Sequence, residues 1–305
     1  MKHVLFIILF LAFSIGADFA QENTSKDVYY DNPLAPRSFR TLNMNVVDSG
    51  NIKIFYALNA TTIGKPETYD DLQCLEIGSQ LSKYFSSYVY NRDSLTADWV
   101  KKNPNAVDKE IPNQNNSKQL GSKGKFEGWS EYIYSEYFKD FSKKELTEYA
   151  RMPMYLDKYN AQYTETIPVQ NWAVSADTLT VAGYLCQKAT CKFRGREYTA
   201  WFAMDIPINN GPWKFGGLPG LILKVYDKNK QYTFECVGIE NSKQKFPVNE
   251  NKVFEQYQKT DRQKLWKTKK EVQEKWHQMF RAATGGGDYI VVGAIQAPYN
   301  PLEIE

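Results

Sequence analysis

Phe193-Arg-Gly-Arg-Glu-Tyr-Thr-Ala-Trp-Phe202, then Asp205-Ile-Pro-Ile208, then Gly211-Pro-Trp-Lys-Phe-Gly-Gly-Leu-Pro-Gly-Leu-Ile-Leu223, form the stretch that decides how the chain is read. It is dense in glycine, proline and aromatics, and its apolar runs are short. That combination predicts strands joined by sterically specified turns. Arg194-Gly195-Arg196 reads as a tight turn between two strands. Leu218-Pro219-Gly220-Leu221 fits a type II turn, with Pro219 pre-setting the second position and Gly220 supplying φ > 0 at the third. Gly216 and Gly217 would let backbones approach closely. Gly195, Gly216, Gly217, Leu218, Pro219, Gly220, Leu221 and Ile222 are therefore expected to shape the fold. A phosphate cradle is the competing reading of Gly211–Gly220. The segment lacks the Gly-Lys-Ser/Thr ending, and strand sequence rather than a helix follows it.

Outward from this stretch, the first residues set the compartment. Met1-Lys-His precedes an apolar run of about ten residues from Val4, followed by small residues, the pattern of a secretory signal peptide. A bilayer-spanning helix needs about 20 apolar residues, so an uncleaved anchor is disfavoured. Cleavage is expected between Gly16 and Ala20, giving a signal peptide over about 1–20 and a mature domain over about 21–305. Losing Lys2 and Asp18 leaves the net charge at +3. That is too near neutral to argue for nucleic acid. Cys74, Cys186, Cys191 and Cys236 can pair in three ways. Free, buried thiols are the alternative, and Cys186 and Cys191, five apart on one expected strand, point to opposite faces.

Along the chain, alternating segments predict a hairpin over 42–58 turning at Asp48-Ser49-Gly50-Asn51, and a strand pair at 69–77 and 81–90 broken by Gly78. Residues 101–125 are polar and read as a surface insertion, led by a short helix at Ser94–Lys102. Strands are expected at 126–138, 163–167, 172–174, 178–193, 197–204, 221–225 and 231–239. Glu145–Met154 stays ambiguous. Phe254, Tyr257, Leu265, Val272, Trp276 and Phe280 recur at helical spacing, predicting a helix over about 249–283 with a break near Thr260-Asp261. Its basic run, Lys264–Lys275, is expected on the outer face. Gly285–Gly287 would end it, and Tyr289-Ile-Val-Val would add a final strand.

Chemistry is read mostly by exclusion. Beyond the signal segment His277 is the remaining histidine, so a Ser-His-Asp triad or a His-based zinc site lacks its parts. No metal or cofactor is expected. Asp70-Asp71 and the pair Glu197/Asp205 are candidate carboxylates for a hydrolase, which would need them about 5–10 Å apart. Aromatics make up 15% of the chain. Some fill strands; others could line a concavity for an apolar ligand, with Trp201, Trp213, Phe215 and Leu218 as the candidate wall.

Phe193–Phe202, Ile206-Pro207, Gly211-Pro-Trp-Lys-Phe215 and above all Gly217-Leu-Pro-Gly-Leu-Ile222 resemble the GLPGLI family of secreted Bacteroidetes proteins. Gly183–Ala189, Leu75–Gly78 and Tyr299-Asn-Pro-Leu-Glu303 also look similar. The resemblance implies export into the cell envelope and supplies no catalytic residues. The strand–hairpin–Pro–strand order is further similar to curved-sheet lipoprotein carriers of the LolA type. The expectation is a mainly β, single-domain protein: a strongly curved antiparallel sheet or half-barrel with a long C-terminal helix packed on it. Its expected role is a non-catalytic binding or carrier protein for an apolar molecule or lipid, exported to the periplasm, associated with the outer membrane, or secreted. The alternatives are an assembly partner of an outer-membrane protein, and an acid-dependent hydrolase.

Overall fold

The computed structural model describes residues 36–107, 110–111, 132–283 and 300–304. Alternating apolar residues and Gly-containing turns produce twelve strands in one mixed sheet. They are β1 (Met44–Leu58), β2 (Asp71–Gly78), β3 (Leu81–Ser86), β4 (Ser135–Asp140), β5 (Glu145–Ala150) and β6 (Ala161–Thr166). Then come β7 (Ala173–Val181), β8 (Tyr184–Phe193), β9 (Arg196–Ala203), β10 (Leu221–Asp227), β11 (Thr233–Asn251) and β12 (Gln258–Lys259). Helix α1 spans Ser87–Lys102 and α2 spans Arg262–Ala283. The spatial order is β12-β6-β5-β4-β3-β2-β1-β11-β10-β9-β8-β7. The chain thus starts in the middle of the sheet and meanders to one side as far as β6. It then crosses to the far edge and meanders back until β11 pairs with β1. Every pair is antiparallel except β12 on β6.

Two hairpins follow from local turn chemistry. Arg194 and Gly195 both have positive φ (48° and 79°), and Phe193 pairs with Arg196. Ala182 and Gly183 repeat the geometry between β7 and β8, at 49° and 84°. Such two-residue turns match the twist of the flanking strands. In the middle of the sheet, Ile54, Tyr56 and Leu58 alternate onto one face of β1 and are fully buried. They join Phe202, Phe215, Leu221, Leu223, Val225 and Phe234 in the main core. Each such side chain contributes about 1.5–3 kcal/mol by leaving water. The hydroxyl of Tyr56 donates to the carbonyl of Ile222 at 2.8 Å, which satisfies its one polar atom.

A second core lies under α2. Leu265, Val272, Trp276 and Phe280 form a buried stripe at helical spacing against Ala150, Met152, Ala161 and Tyr163. Helix α1 is capped by Ser86, whose Oγ accepts from the Val89 amide at 3.1 Å. Its buried face carries Arg92 and Asp93 beside Val89 and Thr96. Arg151 meets Asp93 at 2.6 Å and also donates to the Arg37 carbonyl at 2.6 Å. The Phe39 amide donates to Asp93 at 3.2 Å. This buried ion pair therefore anchors residues 37–39 against the fold.

Several expectations are corrected. Residues 44–58 are one strand, not a hairpin. Asp48–Asn51 is a bulged stretch, with register shifts on either side of it. Gly50 is needed there because a Cβ would lie 1.9 Å from the Ile77 carbonyl oxygen. Asp48 instead caps the β2–β3 turn, accepting from Ser79 Oγ (2.6 Å) and the Gln80 and Leu81 amides (2.7 and 2.8 Å). Partial burial would raise its pKa, but these donors outweigh that and lower it to about 2. The strand expected over 81–90 stops at Ser86, where the cap starts α1. The helix expected over 249–283 is four pieces: Asn249–Asn251 finish β11, Lys252–Gln256 form a 3-10 turn, Gln258–Lys259 form β12, and α2 begins at Arg262. Asp261 accepts from the Lys264 amide at 2.9 Å, so the break expected near Thr260-Asp261 is the true N-terminus. Most of the polar insertion and the segment Tyr289–Val292 lie outside the described residues, as do Gly285–Gly287.

Candidate functional site

The four aromatic and apolar side chains expected to line a ligand wall meet different fates. Trp213, Phe215 and Leu218 are 2%, 0% and 2% exposed and belong to the main core. Trp213 and Phe215 rings lie 5.2 Å apart, and Phe193 and Tyr198 pack on Phe215 at 6.0 and 4.8 Å. Trp201 is half-buried on β9, with Lys188 Nζ 6.0 Å from its ring. The Gly211–Gly220 segment thus contributes Trp213, Phe215 and Leu218 to the core. Trp213 itself sits at φ 50°, a costly conformation for a bulky residue. Its packing holds that geometry, and the next residue, Lys214, is turned toward the second core.

Lys214 is where buried charge converges. Its ammonium reaches Glu303, Tyr163 Oη at 2.5 Å and Glu148 at 3.5 Å. Glu148 on β5 also accepts from Lys269 of α2 and from Ser135 Oγ at 3.0 Å. Arg262 Nη1 reaches Glu303 at 2.9 Å, and Arg194 joins Glu165 at 2.7 Å. Glu148, Lys214 and Lys269 are 2%, 2% and 6% exposed. Burial alone would raise the Glu148 pKa; the ammonium groups of Lys269 and Lys214 overcome it and hold the pKa near about 2. Glu303 is likewise held below the usual carboxylate range, burial being outweighed by Lys214. Glu148, Tyr163, Lys214, Arg262, Lys269 and Glu303, with Tyr137, Trp213, Leu265, Trp266 and Leu302, surround a cavity of about 20 Å³, room for one water.

The sequence reading missed this cluster. Lys269 lies in the run taken for a solvated outer face, yet it stands four residues after Leu265 and three before Val272, on the buried stripe. That spacing was the available signal. Lys214, flanked by Trp213 and Phe215 in an apolar run, was a second. Lys139 of β4 is also buried. Its ammonium donates to two neutral oxygens, Asn210 Oδ1 at 2.8 Å and the Phe215 carbonyl at 2.5 Å, and burial pulls its pKa down to about 7.

The hydrolase acids do not form a pair. Glu197 is exposed at the start of β9 and bridges to Lys228 at 3.0 Å. Asp205 follows the other end, and the six steps from Glu197 to Ala203 alone span about 20 Å. Asp70 accepts from Asn59 at 2.8 Å, while Asp71 is buried, accepts from Ser86 Oγ at 2.9 Å, and is pushed up to about 8 by burial. Among the described residues, no group of three or more His, Cys, Asp and Glu could hold a metal. All four cysteines are free and buried.

The glycine roles in the signature are exchanged relative to expectation. Gly217, not Gly220, has the positive φ, at 84°. Gly220 permits a close approach instead, since a Cβ there would sit 2.1 Å from the Ala203 carbonyl oxygen.

The two edges of the sheet differ. The β6 edge is covered by β12 and by α2. The other edge strand among the described residues is β7, exposed along almost its whole length. Its sequence, Ala173-Val-Ser-Ala-Asp-Thr-Leu-Thr-Val181, carries one charge and no proline. Val174 and Leu179 are 50% and 39% exposed, and Leu185 and Met204 nearby are 63% and 53% exposed.

The fold therefore defines a β-dominated class: a large open sheet of twelve strands with two α-helices among the described residues. A family model described as "Protein of unknown function (Porph_ging)" matches residues 192–224, and this fits the expected uncharacterised Bacteroidetes-type family. Those residues carry β9, Lys214 and the glycine signature. No curated protein matches the chain. Two solved structures of PNGF-II, in space groups C2 and P21, are similar at 13% identity, with TM-scores of 0.45 and 0.42. They cover 73% and 78% of this chain, which spans only 33% and 34% of theirs. A likeness this distant bears on neither activity nor ligand. Among the described residues no helix is long and apolar enough to cross a membrane.

Proposed function

We propose that the chain is an exported, non-catalytic assembly protein of the GLPGLI type. In this reading it engages an extended segment of an envelope protein along β7. The observation that carries this is the contrast between a covered β6 edge and an exposed β7 edge with one charge and no proline. Natural sheets blunt such edges with lysines, prolines, bulges or covering elements; β7 has a register shift between Val174 and Thr178 and is regular from Thr178 to Val181. An edge left open offers main-chain donors and acceptors to an added strand.

The sheet is further read as strongly curved. Only residues 167–172 connect β6 to β7. Seven Cα steps reach about 25 Å at most, whereas ten flat strand spacings would separate the two by about 48 Å. Curvature that brings these strands together, without pairing them, gives a half-barrel whose interior is occupied by Trp213, Phe215 and Leu218. An apolar carrier needs that interior, so the assembly reading is favoured over it. A pull-down from envelope extract separates the two. A stable protein partner with no extractable lipid supports the assembly reading; a co-purifying lipid and no partner overturns it. N-terminal sequencing of the mature protein tests export, with a new terminus expected between residues 17 and 21.

A further inference from the structure

The segment Asn300–Ile304 lies in a channel that reads its main chain with side chains. The Asn300 carbonyl accepts from Tyr232 Oη. The Pro301 carbonyl accepts from Arg196 Nε and Nη2 at 3.1 and 2.6 Å. The Leu302 carbonyl accepts from Tyr198 Oη at 3.0 Å, and the Glu303 carbonyl from Trp266 Nε1 at 3.1 Å. Four consecutive carbonyls are thus satisfied by receptor side chains. The Ile304 amide closes the run by donating to the Arg194 carbonyl at 2.9 Å.

Two anchors add sequence selectivity. Asn300 Oδ1 accepts from Arg196 Nη2 at 2.6 Å. The Glu303 carboxylate meets Lys214, and Arg262 at 2.9 Å. Leu302 between them is 2% exposed. A chain segment folded back onto its own domain ordinarily joins a strand ladder or packs by apolar contact. Here the donors belong to the channel and are positioned from behind: Arg196 also bonds Gln231 at 2.8 Å and Asp227 at 3.3 Å. Such a channel keeps its form for any extended segment with the same anchors. The Glu303 carboxylate thus sits between two cations, Lys214 and Arg262, so the position it occupies selects a carboxylate.

We infer that this channel is a peptide-binding site. Its ligand class is an extended Asn-Pro-Leu-acidic segment, and residues 300–304 are its resident, competing ligand. The site is separate from β7 and stands whether or not that edge binds a partner. A resident ligand on the same chain acts at an effective concentration of the order of millimolar, so it masks the site from peptides in trans.

The test uses the full chain and a fluorescein-labelled heptapeptide with the sequence of residues 299–305. Fluorescence anisotropy is measured on wild type and on the Asn300→Ala/Glu303→Ala variant, whose own segment has lost both anchors. The variant should bind the peptide at least about tenfold tighter than wild type does. Replacing the glutamate of the peptide that corresponds to Glu303 by glutamine should weaken binding about tenfold, and adding Arg196→Met to the variant should abolish it. A variant that melts cooperatively yet binds no tighter than wild type overturns the inference. Should the variant fail to melt cooperatively, the unaltered chain decides: a peptide carrying benzophenone in place of its tyrosine is irradiated in excess. Adducts within 194–198 or 227–232 support the site; adducts elsewhere, or none, overturn it.

Discussion

Gly220 and Ala203 touch backbone to backbone. A Cβ on Gly220 would fall 2.1 Å from the Ala203 carbonyl oxygen, where β9 ends and β10 begins. Neither partner is a flexible side-chain end, so nothing can give way cheaply. Gly220→Ala is expected to cost about 1–3 kcal/mol, the range for overpacking a tight site. Gly216→Ala should stay within about 0.5 kcal/mol, because its Cβ would meet Asn209 at an ordinary 3.6 Å. Urea unfolding of the two variants checks this; equal midpoints would refute it.

Glu148 makes the acid limb of stability. Its folded pKa is near about 2 against an ordinary value of 4.5, because Lys269 and Lys214 outweigh its burial. A depressed acid contributes stability that is full above its unfolded pKa and is lost as pH falls through the folded one. The loss between pH 4.5 and 2 is expected to be on the order of 3 kcal/mol for this group. Glu148→Gln should be strongly destabilised at pH 7, since it removes the buried carboxylate that faces the ammonium groups of Lys269 and Lys214. It should also show a flatter acid limb than wild type. A parallel acid limb in urea titrations from pH 5 to 2 would contradict the assignment.

Lys139 works in the opposite direction. Burial lowers its pKa to about 7 from 10.5, so the unfolded chain holds the proton more tightly. Its penalty is full below pH 7 and is relieved as pH rises toward the unfolded value. The stability of wild type relative to Lys139→Met should therefore increase from pH 6.5 to 9.5. Guanidinium midpoints at several pH values measure this, and a constant difference would contradict the lowered pKa of Lys139.

The four thiols are expected to be inert in the native protein. Burial pushes Cys186 up to about 11 and Cys191 and Cys236 up to about 12. A thiol reagent at pH 8 should label none of them within minutes and all of them after unfolding. Rapid labelling of any one in the native state would contradict its burial.

Local chemistry was legible in the sequence and distant pairing was not. The Arg194-Gly195 hairpin, the β2–β3 pair and the break at Asp261 could be read because each depends on a few adjacent residues. Asp48–Asn51 has turn composition, yet Gly50 serves a bulge against Ile77, and the same residue types suit both. The glycine signature announced tight geometry without saying which glycine took the positive φ. The buried charge cluster was hidden for another reason. Lys214 meets Glu303 across 89 positions and Lys269 meets Glu148 across 121. A lone charged residue is ordinarily solvated, and only the register of β5, β6 and α2 brings these partners together.

In the proposed function, β7 is an edge kept open for a partner strand. Site-specific photo-crosslinkers at Thr178 and Thr180, with controls at the exposed Lys243 and Lys267, test it in cells that make the protein. One discrete protein adduct is expected from the β7 positions and none from the controls. This adduct is also expected to disappear in one of the two variants Thr178→Pro and Leu179→Pro while the protein stays folded, because adjacent residues of a strand direct their amides to opposite sides. The same adducts from edge and control positions, or an adduct that survives both proline substitutions in folded protein, would contradict the proposed function.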